Sequence, residues 1–127
     1  MIDHLGIPVK NHAVSKAFYL KALAPLGYQV VMEVTPEQGA PHHVTGLGPA
    51  GKPDFWISEG ELGGRIHLCF EADSRAQVDA FYKAAMEAGA KDNGPPGIRE
   101  QYHPNYYGAF VIDPNGVNLE AACQKPQ

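Results

Sequence analysis

Ile2-Asp3-His4-Leu5, followed at residues 17–19 by Ala-Phe-Tyr, returns in the second half of the chain as Arg65-Ile66-His67-Leu68, followed at residues 80–82 by Ala-Phe-Tyr. One offset carries His4 onto His67 and Ala17 onto Ala80, and each copy then runs through an alanine-rich stretch to a glycine, Gly27 and Gly89. Self-similarity at a fixed offset marks two copies of one supersecondary unit. The chain therefore divides into a first module over about residues 1–62 and a second over about residues 63–127, within one domain spanning 1–127.

Each copy reads as a strand, a helix and further strands. In Ile2 to Val9, Leu5, Ile7 and Val9 alternate with His4, Gly6 and Pro8, the period of a strand with one buried face. Arg65 to Ala72 repeats the pattern, with Ile66, Leu68 and Phe70 inward and His67, Cys69 and Glu71 on the other face. Asn11 is placed to cap a helix running to about Ala24, with Val14, Phe18, Ala22 and Leu26 at helical spacing. Ser74 and Gln77 predict a capping box for a second helix, made amphipathic by Val78, Phe81, Tyr82, Ala85 and Met86. Further strands are expected at about Tyr28 to Val34, His42 to Leu47, Asp54 to Ser58, Ala90 to Arg99, Tyr107 to Asp113 and Val117 to Cys123, with Asp113-Pro114-Asn115-Gly116 turning between the last two. The expected class is α+β: two βαβββ modules whose mixed sheets form a curved cup with the helices outside. Alternation puts His4, His67 and Glu120 on the concave face, while Leu119 and Ala121 point the other way.

The totals narrow the partners. A chain of 127 residues, 44% of them hydrophobic, can close one core without disulfides. No apolar run approaches the ~20 residues needed to cross a bilayer, and the amino terminus has neither a basic nor an apolar leader region, so the expected location is the cytoplasm. Cys69 and Cys123 are then expected as free thiols. A net charge of −4 without a Lys/Arg cluster gives no footprint for nucleic acid or anionic lipid, leaving a small molecule as the expected partner.

On these residues the chain resembles the vicinal oxygen chelate superfamily of glyoxalases, ring-cleaving extradiol dioxygenases, fosfomycin-modifying enzymes and bleomycin-binding proteins. The resemblance rests on Ile2 to Ile7 with Ser15 to Tyr19, on the repeat from His67 to Tyr82, and on the closing run from Tyr107 through Asp113-Pro-Asn-Gly116 to Glu120. It implies His4, His67 and Glu120 as ligands of one divalent transition metal (Fe, Mn, Zn, Ni or Co), with coordination positions left open for a substrate. A metal-dependent dioxygenase, lyase or isomerase would follow; the alternative is a metal-free protein that sequesters a drug or metabolite in the cup.

The glyoxalases add a carboxylate ligand from the first module, and here the alignment of Pro49-Ala-Gly51 with Pro114-Asn-Gly116 brings Phe55 or Trp56 opposite Glu120. The dioxygenases add a histidine and a tyrosine shortly before the glutamate; His103 lies near the first position and Phe110 occupies the second. Within the cluster Tyr102, His103, Tyr106 and Tyr107, His103 and Tyr107 are the candidate catalytic residues, His103 as an acid or base near neutral pH. Of the adjacent His42 and His43, read as strand, only one side chain is expected in the cup. His12, beside a helix cap, is expected to be solvated, and Trp56, Phe55 and Phe110 are candidate apolar walls. Related small two-module proteins pair their modules within or between chains, so a homodimer is expected, with the site either inside one chain or shared between two.

Overall fold

The computed structural model describes residues 1–127. Module 1 consists of β1 (Leu5–Val9), α1 (His12–Leu23), β2 (Gln29–Val34), β3 (Val44–Gly48) and β4 (Phe55–Glu59). Module 2 repeats the order with β5 (His67–Glu71), α2 (Arg75–Glu87), β6 (Lys91–Ile98), β7 (Tyr107–Ile112) and β8 (Asn118–Cys123). The sheets run β1-β4-β3-β2 and β5-β8-β7-β6. In each, the first strand pairs in parallel with the last and the remaining pairs are antiparallel, so both sheets are mixed. This is the paired βαβββ arrangement expected from the repeat.

Local chemistry fixes the helix ends. Asn11 Oδ1 accepts from Val14 N–H at 3.1 Å and starts α1. A 3₁₀ turn over Ala24–Leu26 then closes on Gly27, whose φ of 86° is left-handed. Ser74 Oγ accepts from Gln77 N–H at 3.2 Å at the start of α2. The expected reciprocal bond is displaced by one residue: Gln77 Oε1 takes the N–H of Asp73 at 2.6 Å rather than that of Ser74.

Two expectations shift. The buried stripe of α1 is Ser15, Phe18, Tyr19, Ala22 and Leu23, and Val14 stands 51% exposed because the aromatic pair turns the helix toward Tyr19. His42 and His43 precede β3, which starts at Val44, so strand alternation does not govern them.

Each sheet has one face covered by its own helix, and α1 and α2 also pack on one another. The largest cluster of buried side chains draws Ile7, Phe18, Tyr19 and Phe55 from module 1 and Leu68, Phe81, Val111 and Leu119 from module 2. Phe70 is the main seam between sheets, edge-on to Phe55 at 5.4 Å and to Tyr28 at 5.3 Å between centroids. The Asp-Pro-Asn-Gly turn clasps the other side. Buried Asp113 accepts from Tyr19 O–H and from the N–H groups of Asn115 and Val117. Asn115 donates to Ser15 Oγ at 3.0 Å and accepts from Lys10 N–H at 2.9 Å. The two sheets share no ladder within the chain, so each keeps a second face free of helix.

Candidate metal centre

Strand register builds the site. In β5 and β8, His67 stands opposite Asn118 and Cys69 opposite Glu120; in β7 and β8, Phe110 stands opposite Glu120. Since alternate residues share a face, His67, Cys69, Glu120, Phe110 and Gly108 all point away from α2. On that face Glu120 is nonetheless only 1% exposed. His67 Nε2 lies 2.8 Å from its Oε1, and Tyr106 O–H donates to its Oε2. An ionised carboxylate only accepts, so the imidazole carries its proton on Nε2 in this pairing.

Around them is a cavity of about 370 Å³ lined by His67, Tyr102, Tyr106, Phe110 and Glu120. The His67 and Phe110 rings are 6.2 Å apart, and Tyr102 meets Tyr106 edge-on at 5.2 Å. Arg99 lies over Phe110 at 5.5 Å. Burial, and then the Glu120 charge, push the Cys69 thiol up to about 12, and burial with the same carboxylate raises the Tyr106 phenol far above its ordinary range. Both groups are held protonated beside the carboxylate.

The pair suits a metal ion. Two donors each about 2.1 Å from an ion and at right angles lie about 3 Å apart. His67 Nε2 and Glu120 Oε1 stand at 2.8 Å, and the histidine side chain is 53% exposed, leaving its outer side accessible. His4 is elsewhere in the chain. It precedes β1, is 60% exposed at the side chain, contacts Asp3 Oδ1 at 2.8 Å, and lines a separate cavity of about 210 Å³ with Tyr28, Asp54 and Phe70. No three His, Cys, Asp or Glu side chains of a single chain converge where an ion could be held.

The catalytic candidates divide likewise. His103 sits in the turn between β6 and β7, with Nδ1 accepting from Asn105 N–H at 3.0 Å, and is not among the residues lining the cavity. Tyr107 pairs with Cys123 and faces the helix, where its hydroxyl donates to Asp79 of α2 at 2.6 Å. The phenol that reaches Glu120 belongs to Tyr106, one residue earlier and therefore on the opposite face. Counting back by twos from Phe110 through Gly108 finds it.

A model of the Glyoxalase/Bleomycin resistance protein/Dioxygenase superfamily matches residues 1–121. The chain belongs to this superfamily. It is similar to a glyoxalase/bleomycin resistance protein from Albidiferax ferrireducens T118, at 26% identity and TM-score 0.76 over 98% of both chains. A glyoxalase/bleomycin resistance protein/dioxygenase family enzyme from Burkholderia phytofirmans PsJN shares the fold at 21% identity and TM-score 0.71, again over 98% of both chains. So does the fosfomycin resistance protein FosX from Listeria monocytogenes, solved with Mn(II) and sulfate, at 17% identity and TM-score 0.70 over 97% of this chain and 91% of that one. None of the curated proteins compared matches the chain.

Within this superfamily fold, the ladders separate Trp56 from Phe55 as the counterpart of Glu120 in module 1. Gly6 pairs with Trp56 as Cys69 pairs with Glu120, so Trp56 holds the position of Glu120. Phe55 is core, 1% exposed. The Trp56 indole lies over Gly46, where an added Cβ would come within 2.8 Å of the ring. No helix is long and apolar enough to cross a membrane.

Proposed function

We propose that this protein is a divalent-metal-dependent enzyme of the glyoxalase and dioxygenase type, acting on a small substrate that chelates the metal through oxygens, with His4, His67 and Glu120 as ligands. The observation that carries the reading is the 2.8 Å approach of His67 Nε2 to a buried Glu120 carboxylate at an accessible cavity. Two imidazoles and a carboxylate suit Fe(II), Mn(II), Zn(II), Ni(II) or Co(II), and the Mn(II) held by FosX makes that ion the first to test. When bound, such an ion supplies a Lewis acid that stabilises negative charge on adjacent substrate oxygens as a proton leaves. The chain's own residues do the rest: Tyr102, Tyr106 and Phe110 wall an aromatic cavity suited to a small, flat body, with no Lys or Arg in its lining. His103 enters this reading if its loop carries the imidazole over the cavity; Tyr107, committed to Asp79, does not.

Because His4 lies apart from His67 and Glu120, the reading includes a homodimer in which His4 of one copy completes the site of the other. Elemental analysis tests the ion, and co-expression of His4→Ala with Glu120→Ala tests the sharing. About one equivalent per chain in the parent, lost in each single variant, is the expected result. Mixed dimers then contain one intact site in two, so a random mixture recovers about a quarter of the parent's metal. An intrachain site would recover none. The separation of His4 within one chain also favours a second reading, a metal-free pocket for a drug or metabolite. A parent that binds none of the five ions on reconstitution would establish that reading and remove the first.

A further inference from the structure

The two oxygens of Glu120 have different neighbours: Oε1 faces His67 and Oε2 accepts the phenol proton of Tyr106. We propose that Tyr106, seated against Gly108, is the positioning residue that restricts Glu120 to donating one oxygen to the metal, an inference that rests on the metal-site reading above. Tyr106 is itself fixed. Its carbonyl accepts from Arg99 N–H at 2.8 Å, its N–H donates to the His103 carbonyl at 3.0 Å, and its ring packs edge-on against Tyr102.

Gly108 makes the contact possible. A Cβ there would stand 3.1 Å from Tyr106 Cε1 and 3.2 Å from Glu120 Oε2, tight enough that both groups would have to shift by a few tenths of an ångström. The first module, on the same ladder, differs at the positions of Gly108 and Glu120. Gly46 pairs with Trp56 as Phe110 pairs with Glu120, so counting back two residues sets Val44 against Gly108. Glycine and glutamate therefore occur together in the module that offers a carboxylate, and valine and tryptophan in the module that does not. With Oε2 occupied by a donated hydrogen bond, the carboxylate contributes one oxygen and leaves more of the coordination sphere to substrate oxygens. Groups that orient a metal ligand in this way typically change metal affinity 10- to 100-fold when removed.

The test uses the full chain with Mn(II) and Co(II). Tyr106→Phe keeps the ring and removes the donor; it is expected to weaken Mn(II) binding in calorimetric titration by roughly 10- to 100-fold. The visible absorption of the Co(II) form should fall, as Glu120 closes onto the ion with both oxygens and raises its coordination number, while the circular dichroism stays unchanged. Gly108→Ala, which keeps the phenol group but shifts it, should move affinity and spectrum the same way, and stands in if Tyr106→Phe does not fold. A Tyr106→Phe protein with the parent's Mn(II) affinity, within about twofold, and the parent's Co(II) spectrum would overturn this inference alone. A parent that binds neither ion would overturn the metal site and this inference with it.

Discussion

Set on one register, the two modules repeat the same order of strands and helix and differ on the sheet faces turned away from the helices. Position by position, module 1 presents Trp56 and Gly46 where module 2 presents Glu120 and Phe110, while the repeat keeps a histidine in each, His4 and His67. The helix-facing side is similar in both: Ile7 and Val9 answer to the apolar Phe70 and Ala72, and Phe18 and Tyr19 to Phe81 and Tyr82. Packing against α1 and α2 constrains one face of each sheet, because cores tolerate little change of volume, and the other face is free to diverge. The duplicated fold thus has one module equipped with a carboxylate and one equipped with an indole.

The largest expected effect separates those two residues. Glu120→Ala should abolish metal binding, whereas Trp56→Ala, at the same register position, should leave the stoichiometry at that of the parent. Elemental analysis of both proteins checks this; equal loss of metal in both would mean that the modules contribute alike and that the ladder comparison misleads.

Next in size is the difference between the paired tyrosines. Tyr19 donates to buried Asp113, which binds the modules together, while Tyr82 donates to Asp92 at the surface, 3.0 Å away. Tyr19→Phe leaves a buried carboxylate short of a donor and should cost about 1.5–3 kcal/mol. Tyr82→Phe should stay within about 0.5 kcal/mol. Urea unfolding of the two variants measures both, and equal losses would dissolve the distinction. The same pair predicts a pH dependence. Burial, then the Asp113 charge, hold the Tyr19 phenol well above its ordinary value. The unfolded chain releases that proton near pH 10 and the folded chain keeps it, so this contribution is full below about pH 10 and is lost as pH rises further. Melting curves between pH 9 and 11 should therefore fall more steeply for the parent than for Tyr19→Phe.

How far the residues announce this arrangement depends on which physical signal each position carries. The repeat and period-two alternation locate all eight strands and both helices, and put His67 and Glu120 on one face, because side-chain direction in a strand follows from parity alone. The choice of Tyr106 over Tyr107 needs the β7–β8 register, because parity within β7 decides it only once Phe110 is known to oppose Glu120. Trp56 and Phe55 are separated by the same information. The displacement of His4 from the pair is a matter of how the modules dock, through Phe70 and the Asp113 clasp, and periodicity carries no trace of it. Val14 misleads for another reason: it fits the apolar spacing, but the larger gain from burying Tyr19 with its hydroxyl satisfied rotates the helix.

The smallest effect lies at the helix starts, where His12 of module 1 occupies the place of Arg75 in module 2. His12 Nε2 is 2.7 Å from Thr45 Oγ1, whose hydroxyl donates toward Glu33 at 3.5 Å, so the imidazole supplies the N–H. Lys16 pairs with the same Glu33, and the His43 ring stacks on His12 at 5.4 Å. Partial burial, followed by the charges of His43 and Lys16, lowers the His12 pKa against the opposing pull of Glu33 and Glu59. The unfolded chain takes up a proton near pH 6.5 and the folded chain resists it, so the stability due to neutral His12 is present above about 6.5 and lost as pH falls below it. Arg75 is charged throughout this range, with its guanidinium over the Tyr107 ring, and contributes no such dependence. Urea midpoints at pH 7.5 and 5.5 should converge in His12→Gln relative to the parent, and Arg75→Gln should keep the parent's difference. If His12→Gln loses as much stability on acidification as the parent does, the acid sensitivity belongs to the carboxylates and not to the contrast between the two helix starts.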